Sequence, residues 1–111
     1  MGALARSLPF TAQAPLAIVV VVERTKFAVV ADASRAIQSM ILAAWAGGIG
    51  SNWVGFMGLE AVKKLLRVPP DKDVLAILPF GYPAAALGRG KKKRQSLVAV
   101  ASKERFGEPY E

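Results

Sequence analysis

The sequence predicts an α+β protein, an α/β sandwich in which one central sheet is flanked by helices. Apolar runs typical of strands alternate with segments of helical spacing, in the order strand, helix, strand, helix, strand. The 111 residues suffice for one domain, 1–111, and show no internal repeat. Hydrophobic residues make up 53% of the chain and charged residues 21%, which excludes intrinsic disorder as a description of the whole chain.

Two apolar runs predict buried strands. Residues 16–22 are rich in valine and show no alternation of polarity, which favours a central strand buried on both faces. Residues 73–80 contain a second such run, and the following Gly81-Tyr82-Pro83 turns the chain out of the sheet. A shorter segment, 51–56, predicts a strand or an extended turn.

The helical spacing of apolar residues predicts two helices. In residues 27–46 the apolar side chains fall on one face, and Gly47-Gly48 ends the helix. That face comprises Val30, Ala33, Ile37, Met40, Ile41 and Ala44. A shorter amphipathic helix is predicted over 58–67, before two prolines. Its packed side chains would be Leu59, Val62, Leu65 and Leu66, and its solvated ones Glu60, Lys63, Lys64 and Arg67. Residues 3–8 would be the end of a further helix.

The positive charge of the chain is concentrated in one place. The net charge is +7, from 15 Lys and Arg against 8 Asp and Glu. Most of the excess comes from Arg89, Lys91, Lys92, Lys93 and Arg94. We predict a basic exposed loop over 84–95, a short apolar segment at 96–101 and a polar tail at 102–111. The basic run fits a solvated loop, a nucleic-acid patch or a clamp for a small phosphate, and no aromatic residue interleaves it as base stacking requires.

The composition excludes several kinds of catalytic and metal site, and the sequence pattern argues against secretion and a membrane span. The chain has no Cys and no His, which removes disulfide scaffolds, thiol nucleophiles, His-dependent triads and zinc sites built on these residues. The carboxylates are scattered along the chain. We interpret the neighbouring Asp71 and Asp73 as part of a solvated turn. Residues 1–14 lack a secretory pattern, and five glycines interrupt the uncharged stretch 36–59. We therefore expect a cytoplasmic protein with no membrane partner.

Two glycine-containing segments are candidates for a ligand site. Residues 46–50 follow a helix instead of opening one, which favours a helix end over a dinucleotide fingerprint. In Trp53-Val54-Gly55 the glycine lacks a Cβ, so the backbone could approach a flat ligand closely. An ordinary core strand with a bulge explains the same residues.

Five segments, in the same order along the chain, resemble FMN-dependent nitroreductases. They are Ala12-Gln13-Ala14-Pro15 with the strand after it, the helical stretch 32–44, Gly48-Ile49-Gly50-Ser51-Asn52-Trp53-Val54-Gly55, the strand ending in Gly81-Tyr82-Pro83, and Lys92-Lys93-Arg94-Gln95-Ser96-Leu97. The resemblance runs from about residue 3 to residue 106 and covers the later part of the family's domain. The family's N-terminal, Arg-rich FMN-binding segment has no counterpart here, so the fold would be a nitroreductase-like domain truncated at its N-terminus.

The resemblance implies a function and its residues. Trp53, Val54 and Gly55 match the segment along the isoalloxazine edge of FMN, and Lys92 and Arg94 match the pair near its phosphate. The implied protein is a homodimeric flavoprotein that oxidises NADH or NADPH and reduces a nitroaromatic or quinone-like small molecule, with residues 28–46 at the dimer interface. An alternative is a non-enzymatic α/β oligomer or fragment that has lost stable flavin binding. A third, a nucleic-acid-binding module, lacks a recognition element.

Overall fold

A computed structural model describes residues 10–24, 26–55 and 59–110. Its elements are α1 (Phe10–Gln13), β1 (Leu16–Val22), α2 (Phe27–Ala46), β2 (Gly50–Ser51), α3 (Leu59–Leu65), β3 (Asp73–Gly81) and α4 (Leu97–Val100). The predicted α+β class is confirmed, and β1 and α2 have the predicted bounds. The helix end expected at 3–8 lies outside the described residues, as does Phe56.

The sheet has three strands in the order β1-β3-β2, and both pairs are antiparallel. The expectation that residues 16–22 form the central strand is therefore wrong, because β3 is central. Along β1, Leu16, Ile18 and Val21 are exposed, whereas every residue from Ala76 to Phe80 is buried. Apolar runs report side-chain polarity and carry no information about which backbone edges are paired, so the two strands could not be ranked from sequence.

Two helices cover opposite faces of the sheet. Side chains at alternate positions of β3 point to opposite faces. On one face Ile37 of α2 packs with Ala76, Leu78 and Phe80, and partly buried Met40, Ile41 and Ala44 complete this cluster. On the other face Val62 of α3 packs with Ile77. Of the predicted apolar face of α2, Ile37, Met40, Ile41 and Ala44 are confirmed in this cluster, whereas Val30 and Ala33 are not part of it. The result is a helix–sheet–helix sandwich.

The structure corrects the prediction for the second helix. α3 ends at Leu65, and Arg67 follows with a positive φ of 54°. Leu65 and Leu66, which were predicted to pack, are exposed. The side chain of Lys63, predicted to be solvated, is only 14% exposed, and its Nζ lies 3.8 Å from Oδ1 of Asp73. Asp73 therefore belongs to β3 and not to a solvated turn.

The glycine-rich connection after α2 has the expected form. The amides of Gly47 and Gly48 donate to the carbonyl oxygens of Ala44 and Trp45, which ends the helix. Gly48 has a φ of 80°, a conformation that favours glycine. The chain then enters β2, which is much shorter than the predicted strand 51–56.

The last part of the chain is not part of the sandwich. We define the body as the described residues 10–81 and the C-terminal arm as residues 82–110. The arm holds only α4 and a bridge between Ser102 and Pro109, and all but one of its residues are exposed. The radius of gyration is 17.7 Å, against ~13 Å for a compact domain of this length. The molecule is therefore more extended than a single packed core requires.

By length and composition, α2 could cross a membrane. It has 20 residues and a mean hydropathy of 1.3. One such helix is weak evidence, and Asp32 and Arg35 form an ion pair of 3.1 Å on its exposed face.

Candidate functional site

Trp53, Val54 and Gly55 run beside the central strand, on the side opposite β1. The amide of Val54 donates to the carbonyl oxygen of Ile77 over 3.0 Å, and the amide of Ile77 donates back over 2.7 Å. The Asn52 amide also donates to the carbonyl oxygen of Pro79 over 3.3 Å, so the pairing with β3 continues from β2 to Val54. The Trp53 amide lies on the other side of the segment and donates to Oδ1 of Asn52 over 2.8 Å. The segment is consequently an extended continuation of β2, which is one of the two forms that the sequence predicted.

Gly55 is closely approached by the indole of Trp53. A Cβ built on Gly55 would lie 2.7 Å from Nε1 of Trp53 and 3.3 Å from the carbonyl oxygen of Leu75. Real Cβ atoms essentially never show the first of these distances, so the indole of Trp53 would have to shift if residue 55 carried a side chain. The space expected for a flat ligand is occupied by the indole, which is itself partly exposed.

The three amides of this segment differ in what they can still bind. Trp53 and Val54 donate within the chain, as described above. The N–H of the half-buried Gly55 has no hydrogen-bond partner among the described residues. In an antiparallel pair, the residues on either side of a hydrogen-bonded pair direct their amides away from the partner strand. Gly55 is therefore the donor that this segment can offer to a bound molecule.

Lys92 and Arg94 lie on the arm, within a fully exposed stretch that contains no helix or strand. Neither side chain forms a hydrogen bond or an ion pair with any described residue. No such interaction links them to Trp53, Val54 or Gly55. The structure thus holds the two halves of the predicted site on different parts of the molecule, with both cations available to an external anion.

Two grooves near the end of β3 were not predicted as sites. The first has a volume of about 450 Å³ and lies between β1, the C-terminal half of α2 and the end of β3. The second, of about 410 Å³, is flanked by the exposed rings of Trp45 and Tyr82. Tyr82 lines both. The sequence signal that could have found them is Gly81-Tyr82-Pro83, which marks the point where the chain leaves the sheet. No cluster of three or more possible metal-ligating side chains occurs in the part of the chain that the structure describes.

Comparison with known proteins identifies a family whose model matches most of the chain. The model of the nitroreductase family matches residues 3–82, which includes the whole body. A curated relative from Methanothermobacter thermautotrophicus, assigned the name NADH dehydrogenase/NAD(P)H nitroreductase, is 33% identical over 79 residues. That alignment covers 64% of this chain and 41% of the relative. The chain therefore spans about two fifths of the length of this relative.

Solved structures give the same result for the fold. A protein of the same name from Bacteroides thetaiotaomicron is 30% identical, with a TM-score of 0.70 over 85% of this chain and 61% of its own. A nitroreductase with bound FMN from Bacteroides fragilis is 25% identical, with a TM-score of 0.66 over 86% of this chain and 56% of its own. The sandwich, the Trp53-Val54-Gly55 segment and the match over 3–82 lead to one conclusion: the chain belongs to the nitroreductase family.

Proposed function

We propose that the protein is an FMN-dependent oxidoreductase of the nitroreductase type. It would take electrons from NADH or NADPH and reduce nitroaromatic or quinone-like small molecules in the cytoplasm. The names of the relatives and the FMN bound to one neighbour support this proposal. The active unit would include more than this chain's body alone, since the chain spans 41% of the curated relative.

The amide of Gly55, which has no hydrogen-bond partner among the described residues, is the observation that carries the proposal. A flavin edge offers ring nitrogen and oxygen acceptors, and an N–H that points away from the sheet is suited to them. Trp53 and Val54 position this donor, because their own amides are held by Asn52 and Ile77. For the ring to reach Gly55, the indole of Trp53 must turn aside, and its partial exposure leaves room for that movement.

The cations of the arm supply the second half of the fit. Arg94 presents a planar fork of donors to phosphate oxygens, and Lys92 adds a compact charge. Neither has an ion-pair partner among the described residues, so binding a phosphate would not require breaking an ion pair seen there. Flexibility of the exposed arm would bring them to the phosphate end of a cofactor whose ring lies on the body.

Bound FMN supplies hydride chemistry itself. The chain's own residues are left with binding and orientation: Gly55 donates to the ring edge, and Lys92 and Arg94 hold the phosphate. This division agrees with a chain that contains neither His nor Cys.

A homodimer is part of the proposal. The outer face of α2 exposes Phe27, Leu42 and Trp45, with Phe27 91% exposed. The arm adds the exposed apolar side chains of α4. A second copy of the chain would cover both surfaces. Sedimentation at micromolar concentration measures this, and a stable monomer would contradict it.

Flavin titration tests the function directly. The purified full-length chain is titrated with FMN and with riboflavin while flavin fluorescence is recorded, and NADH oxidation is then measured with a quinone acceptor. We expect FMN to bind more tightly than riboflavin, because only FMN offers a phosphate to Arg94. Absence of FMN binding would refute the proposal.

One observation favours the alternative, a non-enzymatic α/β oligomer that has lost stable flavin binding. The indole of Trp53 occupies the space beside Gly55 that a flat ring would need. If this packing is permanent, Trp53→Ala should restore or strengthen FMN binding. If the indole moves aside, the same variant should bind FMN no more tightly than the parent chain.

A further inference from the structure

The two edges of the three-stranded sheet differ among the described residues. One edge is β2, which has only two residues. The other edge is β1, whose seven residues include no charged residue, proline or glycine. Natural proteins protect sheet edges with short strands, charges, prolines or bulges, because an open edge pairs readily with another strand. The β2 edge is protected by its shortness, whereas β1 is a long edge whose register shifts only between Val20 and Val21.

The hydrogen bonds of β3 show which backbone groups of β1 face the open edge. The amide and carbonyl of Ile77 in β3 are bound by Val54, on the side away from β1. Val19 lies opposite Ile77, so its own amide and carbonyl also point away from β3. Because directions alternate along a strand, the groups that face the open edge are those of Ala17, Val19 and Val21. None of them has a backbone partner outside the β1–β3 pair among the described residues.

The side chains along this edge are apolar and exposed. Leu16, Ile18 and Val21 are 56%, 36% and 40% exposed. Leu16 and Ile18 also line the groove of about 450 Å³ beside α2. The open backbone edge and this groove therefore form one continuous surface, and a strand paired with β1 would cover it with its own side chains.

A second copy of β1 fits this edge. We propose that the β1 strands of two copies pair in the antiparallel sense, about a two-fold axis at Val19, and we refer to this pairing as the β1 contact. Val19 then lies opposite Val19 of the second copy, and Ala17 lies opposite Val21. All of these residues direct their amides and carbonyls to the open edge, so opposite residues exchange two hydrogen bonds. On the side of the groove, Ile18 lies opposite Val20 of the second copy.

The β1 contact is self-complementary and closed. Beyond the strand, Glu23 lies opposite Pro15 and Arg24 lies opposite Ala14, so no two like charges meet. The two sheets join into one, whose remaining edges are the short β2 strands. Pairing through β1 alone therefore ends at two copies and does not continue into a fibre.

The β1 contact is separate from the dimer surface proposed above. That surface consists of the outer face of α2 and the arm, whereas this one is the edge of the sheet. The two contacts use different residues, and together they would give a tetramer with two kinds of two-fold interface. Neither Gly55 nor the basic run takes part, so the test does not depend on flavin binding.

Hydrogen exchange of the full-length chain, followed for each amide by NMR over a dilution series, tests the proposal. The amides of Ile18 and Val20 face β3 within one copy and should exchange slowly at every concentration. The amides of Ala17, Val19 and Val21 are held only by the second copy. They should exchange slowly in concentrated solution and about tenfold or more faster once dilution separates the copies. Fast exchange of these three amides at every concentration would overturn the proposal.

Two matched variants separate the β1 edge from other exposed apolar positions. Ile18→Lys places a charge opposite Val20 of the second copy and should raise the dissociation constant of the β1 contact about tenfold or more. Leu65→Lys adds the same charge at an exposed position of α3 and should leave this constant unchanged. Circular dichroism verifies that both variants fold, and equal effects of the two would contradict the β1 contact.

A third variant distinguishes the β1 contact from the dimer surface on α2. Leu42→Lys alters the exposed outer face of α2. It should lower the mass of the assembly in sedimentation and leave the exchange of the Val19 amide slow. An unchanged mass would contradict the α2 surface alone, whereas fast exchange of Val19 in this variant would contradict an independent β1 contact. The dilution series of the parent chain requires no variant, so it decides the proposal by itself.

Discussion

The body buries a core of apolar side chains, although it exposes others, whereas the C-terminal arm exposes all of its large apolar side chains. In the body, Ile37, Ile77 and Leu78 are fully buried between the sheet and its two helices. In the arm, the large apolar side chains Tyr82, Leu87, Leu97, Val98, Val100, Phe106 and Tyr110 are all exposed. Both regions contain large apolar side chains, but among the described residues only the body has a sheet with helices packed on its faces.

The difference shows where each region gains its stability. The body gains it from burial inside one chain, since β3 is paired on both sides and covered on both faces. The arm has no such source, and exposed apolar surface of this extent is typical of an interface. We propose that these side chains pack on a second copy of the chain.

The largest expected effect is on the free energy of unfolding, and it is tested with alanine variants of one buried and one exposed leucine. Leu78→Ala removes a fully buried side chain from β3 and should lower the free energy of unfolding by ~2–5 kcal/mol. Leu97→Ala removes a side chain that is 61% exposed and should change it by less than ~0.5 kcal/mol. Urea denaturation at low protein concentration measures both. Equal losses would mean that the arm packs on the body.

The next effect concerns the cations of the arm. Arg94→Ala should weaken FMN binding by roughly ten- to a hundredfold, because a charge-assisted bond to phosphate is worth ~1.5–3 kcal/mol. Arg89→Ala is the matched control and should cost much less, through screened long-range attraction. Fluorescence titration with FMN and with riboflavin measures both variants. Equal losses for both would indicate a diffuse cationic loop, and riboflavin should be insensitive to either change.

A smaller effect compares two glycines. Gly55→Ala forces the Trp53 indole from its position and should lower the free energy of unfolding by ~1 kcal/mol, the lower end of the range for overpacking. Gly88→Ala in the arm adds a Cβ that meets nothing within 4 Å and should be neutral or slightly stabilising. In a Trp45→Phe background, emission from Trp53 should shift only for Gly55→Ala. An unchanged spectrum would show that the indole does not pack on Gly55.

The smallest effect compares two lysines. Lys63→Met removes the ion pair between α3 and β3 and should lower the free energy of unfolding by ~0.5–1 kcal/mol, less in high salt. Lys93→Met removes an exposed charge that has no ion-pair partner in the described residues and should leave it unchanged. Thermal unfolding at low and high salt measures both. A loss for Lys93→Met would place that lysine in an interaction of the folded chain.

Much of the fold was determined by sequence alone. The bounds of β1 and α2, most of the apolar face of α2 and the helix end at Gly47-Gly48 follow from local pattern, because polarity and glycine act within a few residues. For the same reason the segment Trp53-Val54-Gly55 could be selected as a candidate site. Family membership also followed from short motifs in the right order, and the match over 3–82 bears it out.

Only the tertiary structure decided how these elements relate. It made β3 the central strand, ended α3 before Leu66, and placed Lys63 beside Asp73. It also put the indole of Trp53 over Gly55 and left the Gly55 amide without a partner among the described residues. Strand order and side-chain contacts depend on residues that are distant along the chain, and a local pattern of polarity carries no information about those distances.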